Sequence, residues 1–393
     1  MKVRKLEIKD KFDAYLVSAF CFHNRVDNVE EKRAEVENEN FEDWGAFDEK
    51  ETLAARIINN KYKFLIDGTA VEAGGIGAVS TLPEFRNSGA VRDIFNVLLP
   101  EAYKNGEVIS TLYPFKQAFY RKFGYEVITH KNDYEMRPDD LYGFYSFDGD
   151  VKRWNPGDPV DEFLDVYNIW SKDYNLCAVR DKKLMLDHMK VDSLYKDRKF
   201  SYIFSKDGQN IAYLIFTDTY NPDAAILNID ECAWINREGF NAILAFLGRF
   251  EADYGKIVLP LPAGVDLLRI IKTEVAYRIN KISKHDFMLR VINVEKLLET
   301  IKKSPDCDFY IRVSDDIITE NNGMWHVTAN EVVKTQVRIM PNLILDQKVL
   351  GQLAIGALSI EEAKLQPGVE IFGDTDMLSR MFVQKPIFVG EHF

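Results

Sequence analysis

Two stretches of this sequence carry residue types and spacings that can do chemistry. In "VSTLPEFRNSGAVRDIF", Val79 to Phe95, a run of strand character enters a polar turn and leaves it as a helix, with Arg86 and Gly89 at R-x-x-G spacing. The chemistry on offer there is anion binding. The first N–H groups of a helix lack an intrahelical acceptor, the helix dipole adds positive potential, and a glycine lets backbone approach a ligand. Arg86 and Arg92 add charge. An ordinary strand–helix turn has the same outline, and R-x-x-G alone does not exclude it. No G-x-G-x-x-G and no Walker lysine accompanies the turn, so dinucleotide and nucleoside-triphosphate readings lose their support.

The second stretch is "AFYRKFGYE", Ala118 to Glu126, which gathers aromatics and a glycine turn around Tyr120. A phenol with a reference pKa of about 10 is protonated at neutral pH and can deliver its proton to a leaving group. The same tyrosine also reads as a core residue packed on Phe119 and Phe123. A proton donor in amine chemistry needs a counterpart, because an amine nucleophile arrives as ammonium and must lose a proton before it attacks. His23 and His130 are candidates, although lone histidines are more often structural. Another source is the acid-rich stretch of Glu35, Glu37, Glu39, Glu42, Asp43, Asp48, Glu49 and Glu51 around Phe41, Trp44 and Phe47. Carboxylates attract polycations and aromatic faces hold them; a solvated loop is the plain alternative.

The elements that must position these groups belong to a chain of 393 residues, too long for one ordinary core and natural for two or three domains. Apolar residues at 46% and charged residues at 28% describe a folded soluble protein. The formal net charge of −12 argues against nucleic acid as a partner and suits both solubility and cationic small molecules. Cys21, Cys177, Cys232 and Cys307 stand far apart, as reduced thiols do, with neither a disulfide framework nor a metal site. The start has no apolar signal-peptide core, and no apolar run reaches the roughly 18 residues of a membrane helix, so no membrane association and a cytoplasmic location are expected.

Along the chain, "VRKLEI" alternates like a strand and "DKFDAYLVSAFCF" has helical spacing. "YKFLIDGTAVEAGGIGAVSTL" reads as strands joined by an Asp67-Gly68 hairpin turn. Near residue 147 the pattern restarts. "LNIDECAWINREGFNAILAFLGRFEA" repeats the strand, polar turn and helix of "GAVSTLPEFRNSGAVRDIFNVLLPEA", which suggests a duplicated domain. A third composition begins near His285 and ends in "KPIFVGEHF", making a smaller α+β unit.

A strand, an R-x-x-G helix, a further strand and then "FYRKFGYE" is the layout of the GNAT acetyltransferase superfamily. Two such domains and a small α+β tail unit resemble, over the whole chain, the enhanced intracellular survival (Eis) type of N-acetyltransferase within it. The resemblance implies an α/β (α+β) fold: a catalytic GNAT domain over 1–146, a degenerate GNAT-like mixed-sheet domain over 147–284, and a sterol carrier protein-like domain over 285–393. It implies acetyl-CoA as co-substrate. Val79, Ser80 and Thr81 would hold the pantetheine arm, the run Asn87, Ser88, Gly89, Ala90, Val91 and Arg92 the pyrophosphate, and Phe115 and Lys116 the later cofactor-contacting loop. The family commonly has a more basic turn where this chain has Asn87 and Ser88. Tyr120 matches the family's general acid. The terminal α-carboxylate of Phe393 matches its base, the last residue of "GEHF" reaching back into the first domain; a chain end has a reference pKa near 3.3–3.7 and is anionic at neutral pH.

The activity so implied is direct acetyl transfer, in a ternary complex, to primary amines of polycationic acceptors such as aminoglycosides or polyamines. A homohexamer, a pair of trimers, is implied as well. Protein-lysine acetylation and non-enzymatic binding of a lipid or other hydrophobic ligand by the third domain are the alternatives. The turn "WINREGFNAI" of the second domain lacks R-x-x-G, which fits a copy that scaffolds and does not bind cofactor.

Overall fold

The computed structural model describes residues 1–25, 28–38, 42–189, 199–219, 225–373 and 375–393. The chain divides into two units, one of Met1–Ile128, Asp286–Gln384 and Glu391–Phe393, the other of Thr129–His285 and Lys385–Gly390.

The first unit opens with β1 (Lys2–Lys5), α1 (Ile8–Phe22), α2 (Val29–Asn38), β2 (Glu42–Phe47), β3 (Leu53–Ile66) and β4 (Thr69–Thr81). Asp67 and Gly68 join β3 to β4 with φ of 53° and 80°, the two left-handed positions that a tight hairpin matching strand twist requires. Then come α3 (Ala90–Lys104), β5 (Ile109–Leu112), the single-turn α4 (Gln117–Tyr120) and β6 (Glu126–Ile128).

The second unit holds β7 (Lys131–Met136), β8 (Asp150–Arg153), α5 (Asp161–Trp170), α6 (Lys182–Met189), β9 (Lys199–Lys206), β10 (Gln209–Thr219), β11 (Ile226–Trp234), α7 (Arg237–Gly248), β12 (Lys256–Pro262) and β13 (Asn280–Lys284).

The chain then returns to the first unit with β14 (Phe287–Val291), α8 (Val294–Thr300), β15 (Asp308–Ser314), β16 (Gly323–Thr328), β17 (Val332–Thr335), β18 (Leu343–Asp346), α9 (Gln347–Ala354), α10 (Ile360–Ala363), β19 (Glu370–Ile371) and α11 (Thr375–Met381).

Among the described residues the strands form three mixed sheets. The first runs β1-β2-β3-β4-β5-β14-β6, the second β13-β7-β12-β11-β10-β9-β8, and the third β17-β16-β15-β18-β19. The first two follow one plan: antiparallel strands lead to a parallel pair, β4 with β5 and β11 with β12, bridged by a crossover helix, α3 or α7. Both helices bury one apolar stripe. In α3 it is Val91, Ile94, Phe95, Leu98, Leu99 and Ala102, packed on Ile57, Ile76 and Leu112.

The sheets do not follow the three sequence spans strand for strand. β7 lies within the span 1–146 yet pairs with β12 and β13. β14 lies within 285–393 yet pairs with β5 and β6. An alternating run shows that a strand forms, but its sheet is chosen by long-range pairing that periodicity does not encode. The connection between β15 and β16, strands of the third sheet, enters the core of the first, Ile318 being buried with Phe95, Phe123 and Met288. A buried Arg290–Asp315 ion pair at 2.7 Å, and Gln347 Nε2 donating to the Gly124 carbonyl at 2.7 Å, bind them further. No helix among the described residues is long and apolar enough to cross a membrane.

Candidate active site

The site begins where β4 leaves its neighbours. Arg56 stands opposite Ser80 and Ile58 opposite Gly77, so Ala78 and Val79 together face Ile57, and Ala78 takes φ of 50°. An extra residue on one strand is a β-bulge, which bends the strand and strengthens its twist. On its other side β4 pairs with β5 only from Ala73 to Ile76. Beyond that point Gly77–Thr81 has no strand partner on this side among the described residues. Such an edge can take an extended ligand as an added strand.

A buried polar chain holds the bulge. Arg56 Nε and Nη2 donate to Asp43 Oδ1 and Oδ2 at 2.8 and 2.9 Å, and Arg56 Nη1 donates to Ser18 Oγ at 3.3 Å. Ser18 Oγ in turn lies 3.2 Å from Ser80 Oγ, and Cys21 Sγ donates to the Thr81 carbonyl at 3.3 Å. The helix α1 is thereby fastened to the strand that carries Val79, Ser80 and Thr81.

After β4, Asn87 and Gly89 take φ of 64° and 89°, and Gly89 opens α3. Asn tolerates this region through its short polar side chain, whereas a Cβ at Gly89 would lie 2.5 Å from Arg92 Nη2. The first helical bond runs from Asp93 N to the Gly89 carbonyl at 2.9 Å. No side chain caps the helix, and the N–H groups of Ala90, Val91 and Arg92 have no acceptor among the described residues. With the Arg92 guanidinium exposed beside them, they form a cationic turn of the kind that takes a diphosphate.

Tyr120 closes α4 and is only 3% exposed. Its ring meets Phe95, Phe119 and Phe115 edge-on, at centroid distances of 6.4, 5.2 and 5.5 Å. Burial pushes its pKa well above the usual tyrosine value. Tyr125 bonds to Ser110 at 2.7 Å, whereas the Tyr120 hydroxyl has no hydrogen-bond partner among the described residues. Phe115, by contrast, is 71% exposed, and Lys116 is exposed at the N-terminus of α4.

The chain end lies in the same unit. A Cβ on Gly75 would fall 2.9 Å from Phe393 Cγ, and a Cβ on Gly77 would fall 2.9 Å from the carboxyl carbon of Phe393. Two glycines on one face of β4 therefore make a trough that the last residue fills, ring over Gly75 and carboxyl over Gly77. Tyr62, Tyr113 and Phe287 surround the Phe393 ring at 5.5, 5.6 and 6.2 Å. His392 stacks on Tyr113 at 5.3 Å, and the Tyr113 hydroxyl donates to the Glu391 carbonyl at 2.9 Å. Sequence reading did not single out Gly75 and Gly77. Glycines two apart inside a strand, in "EAGGIGAV", are the signal that would have found them.

Among its described residues, the acid-rich stretch is engaged largely by the chain's own groups. Trp44 and Phe47 are each 4% exposed, and their faces are taken by the chain's own cations, Lys5 Nζ at 5.2 Å and Arg4 at 4.1 Å. Asp43 is held by Arg56, Glu42 accepts from Trp44 Nε1 at 3.1 Å, and Asp48 accepts from the N–H groups of Lys50 and Thr52. Glu35 and Glu37 pair with Lys32 and Arg33 along α2, Glu51 pairs with Lys2, and Glu49 is exposed. Glu39 and Phe41 lie outside the described residues. His23 is exposed at the left-handed end of α1, and His130 is fully buried within the second unit. No group of three or more His, Cys, Asp or Glu among the described residues is arranged to hold a metal.

Comparison with known proteins agrees with this architecture. Residues 2–128 match the acetyltransferase (GNAT) domain and residues 294–389 the sterol carrier protein domain. A probable N-acyltransferase from Enterococcus faecalis V583 superposes with a TM-score of 0.84 at 19% identity, over 98% of this chain and 97% of that one. A GCN5-related N-acetyltransferase from Anabaena variabilis gives 0.83 at 20% identity, over 98% of this chain and 100% of that one. Eis1 from Mycobacterium abscessus gives 0.83 at 16% identity, over the whole of both chains. At these identities the likeness is one of fold. No curated protein matches the chain.

Proposed function

With the chain an acyltransferase of the GNAT type and acetyl-CoA its donor, we propose that its acceptors are primary amines of polycationic small molecules, such as aminoglycosides or polyamines, acetylated by direct transfer in a ternary complex. The observation that carries the reading is the carboxyl group of Phe393, which lies over Gly77 at the start of the unpaired edge of β4.

The residues present suit the donor. The open edge at Val79, Ser80 and Thr81 can bond an extended amide-bearing arm, and the uncapped turn from Asn87 to Arg92 can bind a diphosphate. Phe115 and Lys116 flank Tyr120 on the exposed side. The donor supplies an acetyl thioester. The Phe393 carboxylate draws in the ammonium of the acceptor and takes its proton, freeing the lone pair for attack on the acetyl carbon. Tyr120 donates its phenolic proton to the departing thiolate, a role its buried, un-ionised hydroxyl suits. The net charge of −12 favours cationic acceptors over neutral ones. By family resemblance the enzyme works in the cytoplasm as a hexamer built from a pair of trimers.

A second reading, carriage of a hydrophobic ligand, rests on an open cavity of about 710 Å³ on the third sheet, lined by Arg312, Met324, Val337, Arg338, Ile339 and Ile344. One assay separates the two. Thiol release from acetyl-CoA is followed across aminoglycosides, polyamines and lysine peptides, for the natural chain and for one extended by a glycine after Phe393. Turnover with multi-amines that collapses on extension is expected. Preference for peptides would make the protein a lysine acetyltransferase, turnover indifferent to the extension would remove Phe393 as base, and silence with every amine would favour the carrier.

A further inference from the structure

The second unit repeats the acetyltransferase plan but has lost the features that hold a donor. Its crossover helix α7 is capped by its own chain, Asn236 Oδ1 accepting from Gly239 N at 2.8 Å, where α3 leaves its first N–H groups open. Its parallel pair also separates, β11 and β12 pairing only from Ile226–Asn228 to Lys256–Val258. What occupies the region beyond is the chain's own tail, Lys385–Gly390, which belongs to this unit.

The tail is held there as firmly as a strand. Asn175 N donates to the Pro386 carbonyl at 3.0 Å and Phe388 N to the Asn175 carbonyl at 3.0 Å. On the other side Ala263 N and Ile387 N exchange bonds with each other's carbonyls at 2.8 and 3.0 Å. Ile387, Phe388 and Val389 are buried, and Phe388 meets Trp170 edge-on at 5.1 Å.

The last residue of this segment rests on a buried ion pair. Arg180 Nη1 and Nη2 donate to Glu231 Oε1 and Oε2, both at 2.6 Å, and the Tyr213 hydroxyl donates to Glu231 Oε1 at 2.5 Å. A Cβ on Gly390 would lie 2.5 Å from Glu231 Oε2 and 2.8 Å from Arg180 Nη2. Neither group can swing aside: the Arg180 side chain is 0% and that of Glu231 2% exposed, and each fixes the other. Gly390 is therefore the residue that lets the tail lie against the pair, and Glu391, His392 and Phe393 follow it directly.

From this we propose that the second unit is a tail clamp, and that Gly390, Phe388 and the Arg180–Glu231 pair are positioning residues that fix where the Phe393 carboxylate begins its reach. The proposal rests on the reading of that carboxylate as the base. A two-bond bidentate contact with a third donor is the geometry of a rigid stop, and three residues link this stop to Phe393. It also gives the second unit a task that needs no donor site of its own.

The test compares the natural chain with Gly390→Ala, Phe388→Ala and the glycine-extended chain, by thiol release with a polyamine and by release of the terminal phenylalanine with carboxypeptidase under native conditions. Both point variants are expected to lose at least tenfold in kcat, with KM for acetyl-CoA unchanged and the protein still folded at the assay temperature. A lower melting temperature is expected for both, because Phe388 is buried and Gly390 lies against the buried pair. They should also yield Phe393 to the peptidase at least tenfold faster than the natural chain. Partial recovery of kcat by added acetate or formate, acting as a free carboxylate base, is expected for the variants. If the folded variants keep the natural kcat while the extended chain loses activity, the terminal base stands and the clamp is refuted. If the extended chain is as active as the natural one, the base reading fails and takes the clamp with it. Should neither variant fold, the natural chain decides: a folded protein that gives up Phe393 as fast as the urea-unfolded chain has no clamp.

Discussion

Replacing Gly77 by alanine should displace the terminal carboxylate and little else. The new Cβ would stand 2.9 Å from the carboxyl carbon of Phe393 and 3.3 Å from Asn60 Nδ2. Carbon atoms in contact sit roughly 3.5–4.0 Å apart, so one of the two groups must retreat by about 0.6–1.1 Å. The strand is paired on its β3 side and cannot give readily, whereas the chain end is a terminus. A misplacement of about 1 Å at a reacting group costs up to about 100-fold in rate, so kcat should fall about 10- to 100-fold, or about 1.4–2.7 kcal/mol in barrier. The assay is thiol release under saturating acetyl-CoA with a polyamine acceptor, alongside thermal unfolding. Gly255→Ala is the control, because a Cβ there meets nothing within 4 Å. A natural kcat in a normally folded Gly77→Ala protein would refute the reasoning, since the carboxylate would then be moved without consequence.

Tyr120→Phe should lower kcat by roughly 10²- to 10⁴-fold with little change in melting temperature, because the hydroxyl it removes has no protein partner among the described residues. Since burial raises the Tyr120 pKa, its phenol stays protonated through pH 10, and a pH–rate profile should show no alkaline loss below that value. The same shift makes stability fall as pH rises beyond about 10, where the unfolded chain releases protons that the folded one retains; denaturant titrations at pH 8 and 11 read this directly. Gly89→Ala forces an alanine to φ of 89° against Arg92 and should raise KM for acetyl-CoA about tenfold while leaving the acceptor KM near its natural value. Asp43→Ala leaves Arg56 charged and buried, and should cost about 3–5 kcal/mol in urea unfolding.

Much of the local structure from Val79 to Arg92 and around Tyr120 was legible because its signals are local. A polar turn with Gly89 before an apolar stripe announces a helix start, and the positive φ at that position is a property glycine alone brings cheaply. The aromatic cluster at Phe115, Phe119, Tyr120 and Phe123 is likewise continuous in sequence, and so is the Asp67-Gly68 turn. The acid-rich stretch was less legible, because the groups that hold its members lie elsewhere in the chain. Charge density near Trp44 resembles a pocket rim, yet β2 is buried almost throughout, with Asp43 paired to Arg56 and the rings of Trp44 and Phe47 covered by Lys5 and Arg4.

The residues by themselves determined that Val79 to Arg92 would form a strand, an open turn and a helix, and that Tyr120 would sit among aromatics. Those are matters of periodicity, φ preference and composition, each decided within a few neighbouring residues. Only the tertiary structure decided that β14 pairs with β5 in place of β7, and that Gly75 and Gly77 form a trough filled by the last residue. It alone placed Gly390 on a buried ion pair whose members, Arg180 and Glu231, lie far from it in sequence. Each of these joins residues whose local patterns are ordinary, and the information lies in contacts that exist only once the sheets have closed.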